Sequence, residues 1–256
     1  TFHMTEVDRN MKPVGQALVA KKSLHEEPSQ LEFHTQCART QLEARRLSVN
    51  FNRTVSDHGI NIPFVEFLEP WFYVWTDVSE EDGVESYHAV LAEKRLDISR
   101  YKKWNDNKGG INTLLILAEE ENPAKRQKKL IVAEEVTKDD ENEIEVDTGD
   151  EVSEGEECDS ELDPVERLRI IDDDVPQAFS HWTYHYTHGE VLVCDLQGVL
   201  SSKFYLTDPA IHSRSGYRKS FGQTDHRMSG KKRFFDTHSC NPLCKCLGLR
   251  IPNFKK

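Results

Sequence analysis

Three side chains that favour soft or borderline metals fall within seven residues near the end of the chain, as His238-x-Cys240-x-x-x-Cys244. At that spacing one helical turn and its approach can aim all three at a single ion, so a fourth ligand must come from elsewhere. His181, set in Ala178-Phe179-Ser180-His181-Trp182-Thr183-Tyr184, is the preferred fourth ligand, because a buried imidazole needs partners for its ring nitrogens. Cys246 is the local rival. A closed His2Cys2 set predicts a structural tetrahedral zinc, with Zn–S about 2.3 Å and Zn–N about 2.0 Å, rather than a hydrolytic centre. The competing reading is a set of ordinary buried cysteines beside a satisfied histidine.

A second group is made of oxygen and amide donors. Asp195-Leu196-Gln197-Gly198 closes the apolar run Val191-Leu192-Val193-Cys194, which places a carboxylate and an amide at the end of a buried strand, like catalytic or metal-binding groups. Asp208-Pro209 follows a short distance on, and Lys21 ends the strand-like stretch Gln16 to Lys21. Taken alone, Asp-x-Gln-Gly is equally a capped strand-end turn, and Lys21 a surface lysine after a strand.

The elements that must position these groups are legible in outline. Glu32 to Asn50 is helix-compatible, with Ala38, Leu42, Arg45 and Val49 at spacings of three and four. Phe64 to Leu68 and Trp71 to Trp75 are rich in β-formers and read as adjacent strands around Glu69-Pro70, and Tyr87 to Leu91 as another strand. Pro176 opens a helix through Tyr184, since a proline in the first turn forfeits only an N–H that lacks an intrahelical partner anyway. His188-Gly189 signals a turn into the Val191 to Cys194 strand, and Lys231 to Leu249 reads as a helix leading into the cysteine cluster. The chain opens in what reads as a strand, so further residues are expected ahead of Thr1.

Charge separates one segment from the rest. The formal net charge is -12, but Glu119 to Asp174 carries 23 acidic against 7 basic residues, a net of -16, leaving +4 for the remainder. That stretch has too little apolar surface to offset the entropy of ordering, and predicts a disordered acidic insertion, with a short helix possible at Pro123 to Val136; it reads equally as a solvated loop without function or as a regulatory segment that a basic partner could bind. The remainder tolerates an anionic ligand such as a nucleotide. Three of six cysteines crowd into Cys240 to Cys246, which suits metal ligation in a reducing, intracellular compartment better than a disulfide framework. No apolar run approaches the roughly 20 residues of a membrane span, and basic and aromatic residues interleave only at Lys231 to Phe235, which argues against nucleic acid.

Four separated motifs in order resemble the alpha-kinase family of atypical protein kinases: Ala178 to Tyr184, Val193-Cys194-Asp195-Leu196-Gln197-Gly198-Val199, Leu206-Thr207-Asp208-Pro209, and His238-Ser239-Cys240-Asn241-Pro242-Leu243-Cys244. Val19-Ala20-Lys21, Gln41-Leu42-Glu43-Ala44-Arg45 and Lys103-Trp104-Asn105-Asp106-Asn107-Lys108-Gly109 are similar to its nucleotide lysine, the helix carrying its partner glutamate, and its asparagine-rich loop.

The resemblance implies an α+β, two-lobed atypical kinase-like fold with a zinc-stabilised C-terminal lobe. Residues 1–92 would form the N-terminal lobe, 93–118 the hinge and asparagine-rich loop, 119–174 the insertion, and 175–256 the C-terminal lobe. It implies serine/threonine protein kinase activity with ATP, Mg2+ and Zn2+, acting on a protein substrate. Lys21 would contact the phosphates and be held by Glu43, Glu93 would mark the hinge at adenine, and Lys103, Asn105 and Asn107 would bind phosphate or order the loop. Gln197 and Asp208 would hold Mg2+, Asp195 would face the acceptor hydroxyl, and His181, His238, Cys240 and Cys244 would hold zinc. The family's glycine-rich, peptide-docking loop corresponds to Phe221 to Gly230 with its middle glycines replaced, Leu200 stands where a second glycine is expected, and the phosphate-covering turn would lie ahead of Thr1. The alternative is a catalytically degenerate domain of this kind that serves as a zinc-stabilised binding or scaffold module.

Overall fold

The computed structural model describes residues 1–22, 30–78, 83, 85–107, 170–214 and 221–254. Residues 1–112 and 165–256 belong to one compact unit. Most of the acidic insertion, the Pro123 to Val136 helix and the end of the asparagine-rich loop lie outside the described residues.

The first lobe is an antiparallel sheet in the order β1-β2-β5-β4, from Phe2–Val7, Pro13–Lys21, Glu85–Lys94 and Trp71–Val78. The β1–β2 connection is fixed by Asp8, whose carboxylate accepts the N–H groups of Asn10 and Lys12 at 2.8 and 2.9 Å. Side chains alternate across the sheet. Leu18, Ala20, Val90 and Ala92 therefore share one face, while Lys21 and Glu93 point to the other.

Helix α1 runs over Gln30–Asp57, longer than the expected Glu32 to Asn50. No Pro or Gly interrupts it, so each residue adds an i to i−4 hydrogen bond without a break. Its buried stripe is Ala44, Leu47, Phe51 and Val55, all fully buried, whereas Leu42 and Val49 are half exposed at 51% and 55%. The helix is as expected but its inward face is rotated. Polar residues on that inward side, Gln41 and Ser48 among them, disguised it in the sequence.

The second lobe contains two sheets. β3 (Val65–Phe67) runs parallel to β9 (Phe204–Thr207), followed by β8 (Gln197–Leu200) and β6 (Lys102–Lys103), while β7 (Val191–Cys194) pairs with β10 (Ala210–Ser213). The strands flanking Glu69-Pro70 are therefore not adjacent: β3 joins β9, and β4 joins β5 in the first lobe. The reason is on α1, which supplies side chains to the other edge of β3 and its exit. Asn52 Nδ2 donates to Val65 O at 2.8 Å and its Oδ1 accepts from Val65 N at 2.9 Å; Arg45 donates to Phe67 O at 2.7 Å and Gln41 to Leu68 O at 2.9 Å. With that edge satisfied by the helix, β3 has no backbone left for β4.

Three further helices follow: α2 (Asp174–Tyr186), α3 (Arg227–Thr237) and the short α4 (Pro242–Cys246). The expected helix from Lys231 to Leu249 is broken at His238 to Asn241, because Asn241 caps α4 by accepting the Cys244 N–H at 2.9 Å and Pro242 occupies its first turn. Phe51, Phe67, Phe179, Phe204 and Leu206 form the shared core beneath the cleft. Gly198 has φ +150°, and a Cβ there would meet Tyr205 O at 2.0 Å, so only glycine lets β8 lie this close to β9.

Candidate active site

The cleft is lined by a chain of polar contacts between the two lobes. Lys21, at the end of β2, places Nζ 2.5 Å from Glu93 Oε1 and 2.7 Å from Asp208 Oδ2, and donates to Thr207 Oγ1 at 3.0 Å. Burial alone would depress the ammonium, but Asp208 and Glu93 outweigh it and raise its pKa above the ordinary lysine value. Glu93 is 4% exposed. It accepts from Thr207 Oγ1 at 2.6 Å and from Gln41 Nε2 at 3.1 Å. Gln41 Oε1 in turn accepts the Asp208 N–H at 3.3 Å, and Gln197 Nε2 donates to Asp208 O at the same distance. Asp208 itself adopts φ +49°, a conformation that turns the chain sharply at the end of β9.

Glu43 does not join this network. It makes a forked pair with Arg46 at 2.7 and 2.9 Å. Two residues along a helix is about 200° around its axis, so once Gln41 faces Glu93, Glu43 must face away. The glutamate that grips Lys21 is Glu93, which came from the strand assigned to the hinge.

Asp195 lies just past β7 with φ +58° and sits 2.5 Å from Lys103 Nζ through Oδ1. Burial raises its carboxyl above the usual range, with Lys103 opposing and Asp106 and Asp208 adding to the rise. The backbone around it is held from β6 and the loop beyond. Asn105 Oδ1 accepts the Leu196 N–H at 2.8 Å, Trp104 N donates to Leu196 O at 2.8 Å, and Asp195 N donates to Asp106 O at 3.3 Å. Asn105 is fully buried and also donates to Ser180 Oγ at 3.1 Å. Its side chain orders the loop. Asn107 contributes its backbone carbonyl, which faces the Cys194 thiol at 3.8 Å.

Sequence reasoning passed over Gln41, Thr207 and Tyr101. Thr207 stands out in the sequence only as the neighbour of Asp208; its role follows from its place on β9 opposite Gln197. Tyr101 reports the charge of the cleft, because burial together with Asp208, Glu93 and Asp195 drives its phenol well above the ordinary value.

The second group lies on α2, the α3–α4 connection and α4. One donor atom from each of His181, His238, Cys240 and Cys244 falls within 4.8 Å of the others. His181 Nδ1 is 3.1 Å from His238 Nε2 and 3.7 Å from Cys240 Sγ, and Cys244 Sγ is 3.6 Å from His238 Nε2. A tetrahedron with bonds of about 2.0 to 2.3 Å has edges of roughly 3.3 to 3.8 Å, so these atoms stand near its corners. His181 Nε2 is 3.0 Å from the Arg250 carbonyl, the outer contact that fixes a ligating imidazole with Nδ1 turned inward. The donor set fits a closed metal site. Cys246 is not among the four.

Comparison with known proteins places this geometry. The alpha-kinase family model matches residues 1–134 and 159–244. The chain belongs to the alpha-kinase family. Among curated relatives, alpha-protein kinase vwkA of Dictyostelium discoideum is 49% identical over 82 residues, covering 32% of this chain and 13% of that protein. Myosin heavy chain kinase C of the same organism is 43% identical over 81 residues, covering 32% and 10%. Transient receptor potential cation channel subfamily M member 7 of Rattus norvegicus is 39% identical over 87 residues, covering 33% and 4%. The chain thus spans a small part of the length of these relatives. The alpha-kinase domain of myosin-II heavy chain kinase A in complex with adenosine superposes with a TM-score of 0.57 at 21% identity, over 97% of this chain and 69% of that one. The same domain in complex with AMPPCP gives 0.58 at 22%, over 96% and 70%. The fold is that of an alpha-kinase domain. Among the described residues no helix is long and apolar enough to cross a membrane.

Proposed function

We propose that the chain transfers the γ-phosphoryl group of MgATP to a serine or threonine hydroxyl of a protein. The observation that carries this reading is the convergence of Lys21, Glu93, Asp208 and Gln197 on one end of the cleft, with the Asp195–Lys103 pair beside them. Solved relatives of this fold hold adenosine and AMPPCP, which supports a nucleotide in the cleft.

In this reading Lys21 neutralises phosphate charge, steadied by Glu93, Thr207 and Gln41. Asp208 and Gln197 offer the side-chain oxygens that Mg2+ takes, and the ion would spread the charge that builds on the transferring phosphoryl oxygens. Lys21 must then exchange its contact with Asp208 for one with phosphate. Asp195 orients the acceptor hydroxyl: as the hydroxyl oxygen bonds to γ-phosphorus, the bond to the bridging oxygen of ADP breaks with its electron pair, and the hydroxyl proton passes to the Asp195 carboxylate or to water. Lys103 opposes the rise that burial imposes on that carboxyl.

His181, His238, Cys240 and Cys244 would hold a structural Zn2+, fastening α2 to the segment beyond α3.

The test is transfer of labelled γ-phosphate from ATP and Mg2+ to a protein acceptor by the wild type and by Asp195→Ala. The expected result is transfer by the wild type, loss of at least about a thousandfold in the variant, and retained ATP binding in both, since the group acts on the acceptor side. A wild type that binds ATP yet transfers nothing, or one that does not bind it, rules out the enzyme reading and leaves the scaffold.

A further inference from the structure

A buried histidine outside the nucleotide cluster and the metal group joins three segments: β7 at the residue before Asp195, the loop at Asn107, and the stretch at His226. His212, on β10, is fully buried. β10 pairs with β7 so that Ala210 faces Cys194 and His212 faces Leu192, which makes His212 and Cys194 diagonal neighbours on one side of the ribbon. His212 Nε2 lies 3.3 Å from Cys194 Sγ, one residue before Asp195, and the backbone of Asn107 also hydrogen-bonds the ring. On the opposite side the His226 N–H donates to His212 Nδ1 at 3.2 Å. The α3 residue Gly230 packs flat against the ring, where a Cβ would come within 2.3 Å of His212 Cδ2.

The segment held this way, 221–230, lies where the family's glycine-rich loop would be, with the middle glycines replaced. Arg227 adopts φ +51°, a left-handed conformation that a glycine would enter without strain. Two anchors compensate. Asp225 accepts the N–H groups of Ser213 and Arg227, each at 2.9 Å, and the Ser213 hydroxyl at 2.5 Å. His212 supplies the second anchor, and it alone of the two also touches the residue next to Asp195.

The hydrogen bonds dictate the tautomer. A ring nitrogen that receives a backbone N–H carries a lone pair, so Nδ1 is bare and the proton resides on Nε2. Around the ring stand His226, Asp225, Lys231 and the Cys194 thiol. Burial, with His226 adding to it, lowers the imidazole to about 4, so the neutral ring persists at pH 7.

We propose that His212, as its Nε2–H tautomer, is a positioning residue that keeps the 221–230 segment in register with Asp195 and so sets the acceptor side of the cleft. This rests on the kinase reading for its consequence in catalysis, though not for the geometry.

The experiment uses the whole chain with His212→Phe, which keeps a ring but removes both nitrogens, and His212→Gln, which keeps one acceptor and one donor. In the wild type, nitrogen NMR at pH 7 should show a bare Nδ1 at His212; a protonated Nδ1 overturns the proposal without any variant. Amide exchange over 221–230 should rise in His212→Phe and return toward wild type in His212→Gln, while ATP affinity stays within about twofold in both. With dephosphorylated casein as acceptor, the acceptor KM should rise roughly tenfold in His212→Phe, the scale of one lost hydrogen bond, with the ATP KM unchanged. Unchanged exchange in His212→Phe, no rescue by glutamine, or equal loss of ATP and acceptor affinity overturns it. A wild type that transfers no phosphate removes the kinase reading, and the NMR and exchange results then decide the role of His212 by themselves.

Discussion

Gln41, on α1, donates to Glu93, on β5, at 3.1 Å, and that contact fixes which glutamate serves Lys21. Because Gln41 occupies the inward face of α1, Glu43 is turned out to Arg46. Glu93→Gln should therefore weaken ATP binding by about tenfold or more, since it removes a buried charge-assisted partner of the ammonium. Glu43→Gln should leave binding unchanged and shift stability by less than about 0.5 kcal/mol, the usual range for an exposed pair. Calorimetric titration with ATP on both variants decides this, and equal losses in the two would refute the assignment.

Asn105→Ala should lower stability by about 1 to 3 kcal/mol, because the Leu196 N–H and the Ser180 hydroxyl lose their partner in a buried setting. Denaturant unfolding measures that cost. Phosphate transfer should fall further than stability accounts for, as Leu196 is the neighbour of Asp195, while ATP affinity should hold because the side chain does not face the cleft.

His34 is fully buried, and neither of its ring nitrogens has a hydrogen-bond partner among the described residues. It lies against Phe33 and Phe72, with ring centroids 5.3 and 6.4 Å away. Burial lowers its pKa below the ordinary value of 6.5. A group that binds a proton more weakly folded than unfolded gives stability that is whole above pH 6.5 and declines as the pH falls through the folded value. His34→Leu should stabilise the protein by about 1 kcal/mol at pH 7, since an unsatisfied polar group is replaced by an apolar one of similar size. Its advantage over wild type should grow between pH 7 and pH 5. Thermal denaturation at the two pH values tests both parts, and an advantage that shrinks toward acid would contradict the burial argument.

Chelation should strike the second lobe as a whole. If the four donors around His181 and His238 hold zinc, metal binding and folding are one equilibrium, and removing the ion should lower the melting temperature by many degrees and expose α2 and α4 to proteolysis. Cys244→Ser should do the same without chelator, whereas Cys246→Ser should not. Metal analysis of the purified protein should give one zinc per chain, and a melting temperature indifferent to chelator would exclude a structural metal.

The sequence by itself determined what is written locally or in ordered motifs. The residues of β7, the helix around His181, and the quartet His181, His238, Cys240 and Cys244 were all legible, because each depends on spacing, side-chain chemistry or recurrence of a motif in order, whereas the cap and proline that start α4 lie within a stretch that reads as one continuous helix from Lys231 to Leu249. The tertiary structure decided which partners meet. Nothing local distinguishes Glu43 from Glu93, or tells Gln41 to bury its amide; those choices come from which face of α1 packs on Phe67 and Phe179. The place of β3 beside β9 is of the same kind, fixed by Asn52, Arg45 and Gln41 meeting its free edge. Side-chain spacing along one element is set by its own geometry, but the rotation of that element about its axis is set only by what it packs against, and the pairing of Gln41 with Glu93 follows from that rotation.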